Sequence, residues 1–326
     1  MQKLTGKTFL LTGGAGFIGA SLARRLIDDN EVVIYDNGHR GKLPSDLAEH
    51  PNLRFVQGDV LDFESLKAAM KGANYVVHLA AIAGVDSVRK MAVQTMKVAL
   101  LGTYHALEAA AAEPNIERFV DFSTSEVFGQ YAYRVQEGDA TLLGAVGEAR
   151  WTYAVSKLAG EHLAHNYHKE FGLPTVSLRP FNIYGPGQLA EGAVLKFVLW
   201  AIQNKPLTVY NDGSQIRAWC YIDDIVDALI LCLTRDEAKG EVFNIGNPRS
   251  VLTIFDLARR VIQISGSASQ IEFKENLAPD VELRIPNIEK ARELLGFEPK
   301  VELDEGLART IEWYKMREKQ AEKIAK

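Results

Sequence analysis

The chain is short of cysteine, carries no excess of positive charge and has no long apolar run. It holds two cysteines, Cys220 and Cys232, in 326 residues. Two thiols inside apolar runs form neither a disulfide framework nor a metal-ligand set. No metal is expected, and both read as buried thiols of a reducing compartment. No stretch approaches the run of about 18 apolar residues that a membrane span needs. The polar lead Met1 to Lys7 is not a charged-then-apolar signal segment either. A cytoplasmic protein with no membrane partner is the expectation. A net charge of -5 without a basic stripe offers nucleic acid no footing. Hydrophobic residues at 47% against 24% charged exclude disorder and allow a large core.

What is present is alternation. Short apolar runs at Thr8 to Thr12, Glu31 to Tyr35, Arg54 to Gln57, Tyr75 to His78, Arg118 to Ser123 and Thr175 to Arg179 read as strands. Helical patterns lie between them at Gly16 to Asp28, Asp62 to Met70, Ala92 to Ala111 and Trp151 to Phe171. That order predicts an α/β fold with a doubly wound parallel sheet of the Rossmann type over residues 1–178. After Arg179 the pattern loosens into a smaller α/β substrate domain, residues 179–326. Its helices are expected near Ala193 to Gln203, Asp223 to Thr234, Thr253 to Ser265, Ile288 to Leu295 and Leu303 to Ala325. A segment near 217–247, with a strand at Val242 to Ile245, is expected to return to the main sheet. The charged stretch Lys315 to Lys326 reads as a solvated helix end.

The first strand runs into Gly13-Gly14-Ala15-Gly16-Phe17-Ile18-Gly19, with glycines spaced G-x-x-G-x-x-G. Gly13 permits a tight turn, Gly16 lets backbone approach a pyrophosphate, and Gly19 lets helix and strand pack closely. The helix N-terminus then offers free N–H groups to phosphate. A glycine triplet alone is weak evidence, but Asp36, followed by Asn37, ends the next strand about 20 residues on, where a ribose 2′-hydroxyl is read. A carboxylate there favours NAD over NADP, although His39 and Arg40 stand close by. Asp59 and Val60 after the third strand, and Leu79, Ala80 and Ala81 after the fourth, complete the expected cofactor contacts.

Tyr153 and Lys157 stand at i and i+4, which places them on one helix face. An ammonium beside a phenol is expected to lower the tyrosine pKa and make it a base for a carbinol proton. The strand ending at Ser123 leads into Thr124, Ser125 and Glu126 at the carboxyl edge of the sheet, where ligands bind in such folds. Thr124 can bond the same hydroxyl as Tyr153. Glu126 can serve as a base beside a ketone or steer a carboxylated substrate.

Taken together, TGGAGFIG (Thr12 to Gly19), HLAA (His78 to Ala81), STSEVFG (Ser123 to Gly129), YAVSK (Tyr153 to Lys157), RPFNIYGPG (Arg179 to Gly187), GSQIRAWCYIDD (Gly213 to Asp224) and FNIG (Phe243 to Gly246) resemble one group. It is the nucleotide-sugar epimerase/dehydratase/decarboxylase branch of the extended short-chain dehydrogenase/reductase superfamily. The resemblance implies a tightly held, recycled NAD and a transient 4-keto sugar on a nucleotide diphosphate. It assigns Tyr153 as base, Lys157 to the nicotinamide ribose and Thr124 to the hydroxyl. It assigns Asn182, Arg217 and Arg284 to the substrate's diphosphate or sugar.

The Thr-Ser-Glu trio is similar to that of UDP-glucuronate decarboxylases and of GDP-mannose-type dehydratases, while Pro206 to Trp219 and Asp280 to Ala291 look most like the decarboxylases. The matching position to Glu126 is usually small and neutral in 4-epimerases. Ser125 stands where dTDP-glucose 4,6-dehydratases typically carry aspartate. Two features depart from the decarboxylase pattern. Gly187 replaces a common arginine, and Gln130 to Arg150 lacks the usual proline-rich approach to the tyrosine. A lyase of the UDP-glucuronate decarboxylase kind is the first expectation, with a nucleotide-hexose 4,6-dehydratase and a 4-epimerase as alternatives. An NAD-binding regulatory protein is the alternative outside enzymology, and intact Thr124, Tyr153 and Lys157 speak against it. The resemblance also implies a homodimer, joined through Ala92 to Ala111 and Trp151 to Phe171 as a four-helix interface.

Overall fold

Runs rich in valine, isoleucine and phenylalanine form strands that are buried on both faces, as a parallel sheet covered by helices requires. The structure, a computed structural model, describes residues 4–189, 191–275 and 280–324, leaving aside the side chains at 150 and 320–324. In chain order its strands are β1 (Thr8–Thr12), β2 (Glu31–Asp36), β3 (Leu53–Gln57), β4 (Tyr75–His78), β5 (Arg118–Phe122), β6 (Tyr131–Val135), β7 (Thr175–Pro180) and β8 (Ile183–Tyr184). Then follow β9 (Leu207–Tyr210), β10 (Ile216–Ala218), β11 (Cys220–Tyr221), β12 (Val242–Ile245), β13 (Val251–Thr253), β14 (Ile271–Lys274) and β15 (Leu283–Pro286).

Seven of these form one parallel sheet in the order β12-β7-β5-β4-β1-β2-β3. The chain first winds outward from β1 to β3, then starts again at β4 on the other side of β1. This reversal opens a crevice above the carboxyl ends of β1 and β4, the usual ligand position in a doubly wound sheet. The fold is the Rossmann type expected. Val242–Ile245 joins the main sheet as its last strand, beside β7.

Helices Phe17–Leu26, Ala193–Ile202 and Ile222–Thr234 contribute to the core on one face of the sheet. Helices Phe63–Met70, Gly102–Ala111 and Thr152–Phe171 contribute to the core on the other. The stretch expected as one helix from Ala92 to Ala111 is instead two α-helical pieces joined by a π-turn at Lys97–Leu101. The last helix runs Leu303–Ile324, so the expected end at Ala325 lies outside the described residues. Cys220 and Cys232 are both buried, and burial pushes the Cys232 thiol up to about 12.

A second sheet, in the order β13-β10-β15-β6, stands over the crevice side. Its strands of three to five residues escaped the sequence reading, because such short runs with interleaved charges carry no period. Two-stranded pairs β11-β8 and β14-β9 complete the chain. No described helix is long and apolar enough to cross a membrane.

Candidate functional site

The crevice is a cleft of about 660 Å³ between the ends of the main sheet and the small sheet. Its floor is the glycine turn. Gly13 has φ +67, and a Cβ there would lie 2.8 Å from Ala80 Cα, so the turn passes hard against the loop after β4. Gly19 is pressed against the same turn, with a Cβ reaching 2.5 Å from Gly14 Cα. Gly14, which the spacing rule passed over, is equally obligatory: its Cβ would meet Leu11 O at 2.8 Å. At Gly16 only Gly13 O lies near, at 3.2 Å, and the position opens to the cleft at the start of the Phe17–Leu26 helix.

Asp36 is fixed at the end of β2. Its carboxylate accepts the Ala15 N–H at 3.1 Å and the Gly38 N–H at 2.8 Å. Asp59 accepts the Leu61 N–H at 3.0 Å. Asn37, Asp59, Val60, Leu79, Ala80 and Ala81 all line the cleft with Phe17 and Ile18. Arg40 also lines it, but its guanidinium donates to the carbonyl of Ala83 across the opening.

The opposite wall is assembled from distant segments. Thr124, Ser125 and Glu126 form a turn after β5, in which the Glu126 N–H donates to Thr124 Oγ1 at 3.1 Å. Thr124 therefore keeps its hydroxyl proton for another acceptor. Tyr153 lines the cleft at the start of the Thr152–Phe171 helix. One turn on, Lys157 is 1% exposed, and its Nζ has no hydrogen-bond partner. Asn182 takes a left-handed φ of +32, and its side-chain amide donates to the Ala218 carbonyl at 2.9 Å. Arg284 on β15 is 3% exposed, donates to Gly129 O at 2.7 Å and lies 3.7 Å from Glu126 Oε1.

Arg217 is Arg284's neighbour in register on β10, but it does not line the cleft. Its guanidinium donates to the carbonyls of Ile216 and Val281 and stands 3.8 Å from Asp280. The expected cationic pair is thus one guanidinium at the cleft and one committed behind it. The sequence reading also missed Glu191. Its carboxylate accepts the N–H groups of Asp86 and Ser87 at 3.0 and 3.1 Å, tying the loop after β4 to the segment after β8.

Residues 9–246 match the NAD dependent epimerase/dehydratase family. The chain belongs to that family. Two relatives are a UDP-N-acetyl-alpha-D-glucosaminuronate decarboxylase of Bacillus cytotoxicus and UDP-glucuronic acid decarboxylase 1 of Arabidopsis thaliana. The first is 34% identical, over 95% of this chain and 98% of its own. The second is 35% identical, over 94% of this chain and 70% of its own. Among solved structures, the UDP-glucuronic acid 4-epimerase of Bacillus cereus, in complex with UDP-glucuronic acid and NAD, superposes with a TM-score of 0.87. It is 31% identical over 95% of this chain and 99% of that one.

As a member of this epimerase/dehydratase family the chain is an NAD-dependent nucleotide-sugar enzyme, and its cleft fits NAD. Gly16 presents bare backbone to the opening, and Asp36 presents a carboxylate braced by two N–H groups. Lys157, expected at the cofactor, does not line the cleft: its ammonium is buried one turn beyond Tyr153, 3.9 Å from Asp121 Oδ1. One electrostatic expectation is corrected. Burial, with the Glu126 charge second, pushes the Tyr153 phenol above its ordinary range, and Lys157 is not among the causes acting on it. The protein alone keeps the phenol protonated. Among the described residues, no group of three or more His, Cys, Asp or Glu side chains is arranged to hold a metal ion.

Proposed function

We propose that this enzyme is a decarboxylase of a nucleotide-linked uronic acid, working through a 4-keto sugar. The observation that carries the reading is Glu126 beside the buried Arg284 guanidinium, both lining the cleft with Tyr153. A buried guanidinium is a fitting anchor for a substrate carboxylate or phosphate. A uronate carboxylate arriving there sits next to Glu126, and the two like charges repel. Loss of neutral carbon dioxide relieves that repulsion. An enzyme that only inverts C4 has no such use for Glu126.

NAD supplies, when bound, a hydride acceptor and a positive ring charge. The Tyr153 phenol, protonated in the protein alone, would need the positive charge of bound NAD to ionise; as phenolate it would take the C4 hydroxyl proton, and Thr124 would donate its own hydroxyl proton to that oxygen. With C4 a ketone, the C5–C6 bond breaks, carbon dioxide leaves and the electron pair passes to the C4 oxygen as an enolate. C5 would take a proton from water reaching the cleft, and Tyr153 would give its proton back to O4 as the ketone is reduced again. Lys157 holds the nicotinamide ribose, and Asp36 accepts the adenosine ribose hydroxyls.

A homodimer suits the surface. Val93 is 71% exposed and Phe171 66%, and with Leu101, Tyr104 and Val155 they set apolar side chains on the Ala92–Ala111 and Thr152–Phe171 stretches. Sedimentation of the purified chain as a two-subunit particle is expected, and a monomer would remove this part of the proposal.

The test of the chemistry is incubation of the NAD-loaded enzyme with UDP-glucuronate, UDP-N-acetylglucosaminuronate, UDP-glucose and UDP-N-acetylglucosamine, with products read by mass. Loss of carbon dioxide from a uronate is expected, and Glu126→Gln should stop it while hydride transfer continues. Unchanged mass with altered chromatography would make the enzyme a 4-epimerase, and loss of water a dehydratase.

A further inference from the structure

Beneath Tyr153 and Lys157 the main sheet carries a row of polar side chains where apolar ones belong. Thr12, His78, Asp121 and Ser177 stand side by side in register on β1, β4, β5 and β7. Thr12, His78 and Asp121 are fully buried and Ser177 is 4% exposed. Neighbours in register share one face of the sheet, and here that face carries the Thr152–Phe171 helix. A carboxylate in the middle of a parallel sheet is costly unless something uses its charge.

The partners of Asp121 are few. Ser177 donates to Oδ2 at 3.2 Å. Lys157 Nζ stands 3.9 Å from Oδ1, close enough for attraction between charges and too far for a direct hydrogen bond. Asp121 Oδ1, Lys157 Nζ and His78 Nε2 are three buried polar atoms without a hydrogen-bond partner. The Thr12 hydroxyl accepts from the Ala80 N–H at 3.4 Å and shares a hydrogen bond with His78 Nδ1, 2.8 Å away. Among those three groups, the Lys157 ammonium and the Asp121 carboxylate face each other as a buried charge pair with no direct hydrogen bond between them.

We propose that Asp121 is a positioning residue for the Tyr153–Lys157 pair: its buried carboxylate holds Lys157 in the charged form and aims it. Lys157 needs such help, because burial lowers its pKa while Asp121 and then Glu161 raise it. The other groups facing Asp121 are accounted for. Glu161 on the same helix is held by Arg179 Nη2 at 2.7 Å and by the Ser123 hydroxyl. Burial holds His78 down at about 3, with the Lys157 charge adding to it, so the imidazole stays neutral. Tyr153 is protonated in the protein alone. Burial holds the Asp121 carboxyl up at about 6, with Lys157 opposing, so it is charged at neutral pH. Its folded pKa lies above the ordinary carboxylate value of 3.8. Its contribution to stability is therefore present in acid and lost as pH rises through about 6. The fold does not gain from this charge, and Lys157 does.

The test is an NMR titration of Lys157 in NAD-loaded enzyme carrying 13C-labelled lysine. It needs no sugar substrate, so it stands or falls separately from the decarboxylase reading. In Asp121→Asn the Lys157 midpoint is expected to fall by about one to three pH units, the effect of removing an opposite charge at this range. The alkaline limb of kcat against pH with the uronate substrate should move the same way, while the NAD content stays unchanged. A Lys157 midpoint the same as in the parent enzyme overturns the proposal. Should Asp121→Asn not fold, the parent enzyme serves: the Lys157 resonance should shift as Asp121 takes up a proton near pH 6, and a resonance unmoved through that range overturns the proposal equally.

Discussion

The two walls of the cleft are built on different principles. The cofactor wall is one continuous stretch, from the turn at Gly13 through Asp36 to Ala81, and backbone does most of its shaping. The sugar wall gathers Glu126, Tyr153, Asn182 and Arg284 from four segments, and side chains do the shaping. Backbone shape at the first wall is fixed by glycines with no room for a Cβ. Charge placement at the second rests on contacts such as Glu126 to Arg284, 158 residues apart in sequence, at 3.7 Å. A wall of the first kind suits a cofactor common to many reactions. A wall of the second kind can change its chemistry by single substitutions.

The difference predicts that the walls fail separately. Tyr153→Phe strikes the sugar wall. It removes the phenol oxygen proposed to take the carbinol proton and leaves the ring in its pocket. Turnover should fall by about 10²–10⁴-fold, the usual worth of a positioned acid or base. NAD bound after purification should be unchanged. Single-turnover rates and the nucleotide content of the same preparation check both halves. Retention of most of the rate would end the base assignment, and loss of NAD would show that the walls are coupled through Tyr153.

Legibility in the sequence follows the same division. Gly13, Gly16, Gly19 and Asp36 were readable because local backbone sterics fix their spacing inside one βαβ unit. Strand β12 was readable as an apolar run, Val242–Ile245, even though it closes the sheet from far along the chain. The small sheet was not, since β10 and β13 have three residues each. Arg217 and Arg284 could therefore be named as cations but not told apart, because only their register on β10 and β15 separates them. Asp121 escaped for another reason. Its position sits inside an apolar strand, Arg118–Phe122, and nothing local says which helix residue lies above it. The Tyr153 phenol was misjudged because i, i+4 spacing puts two side chains on one face and does not say which is deeper. Lys157 is deeper and faces Asp121, so burial sets the phenol's pKa without an offset from that ammonium.

The smallest effect belongs to the cofactor wall. Asp36→Asn keeps the size and one accepting oxygen of the side chain, removes its charge and turns an NH2 donor toward either the Ala15 or the Gly38 N–H. The parent carboxylate accepts the Ala15 and Gly38 N–H groups, and each oxygen has a further lone pair for a ribose hydroxyl. A hydrogen bond to a charged group contributes about 1.5–3 kcal/mol against about 0.5–1.5 for a neutral one. The substitution should thus weaken NAD by about tenfold, with kcat at saturating NAD unchanged. NADP should gain little, because one guanidinium of the cleft, that of Arg40, already donates to the Ala83 carbonyl. Calorimetric titration of nucleotide-free protein with each dinucleotide measures both. An NAD affinity equal to the parent's would mean that the backbone of the glycine turn holds the cofactor without the ribose contact. The first wall would then owe nothing to side-chain charge, and its contrast with the second would be complete.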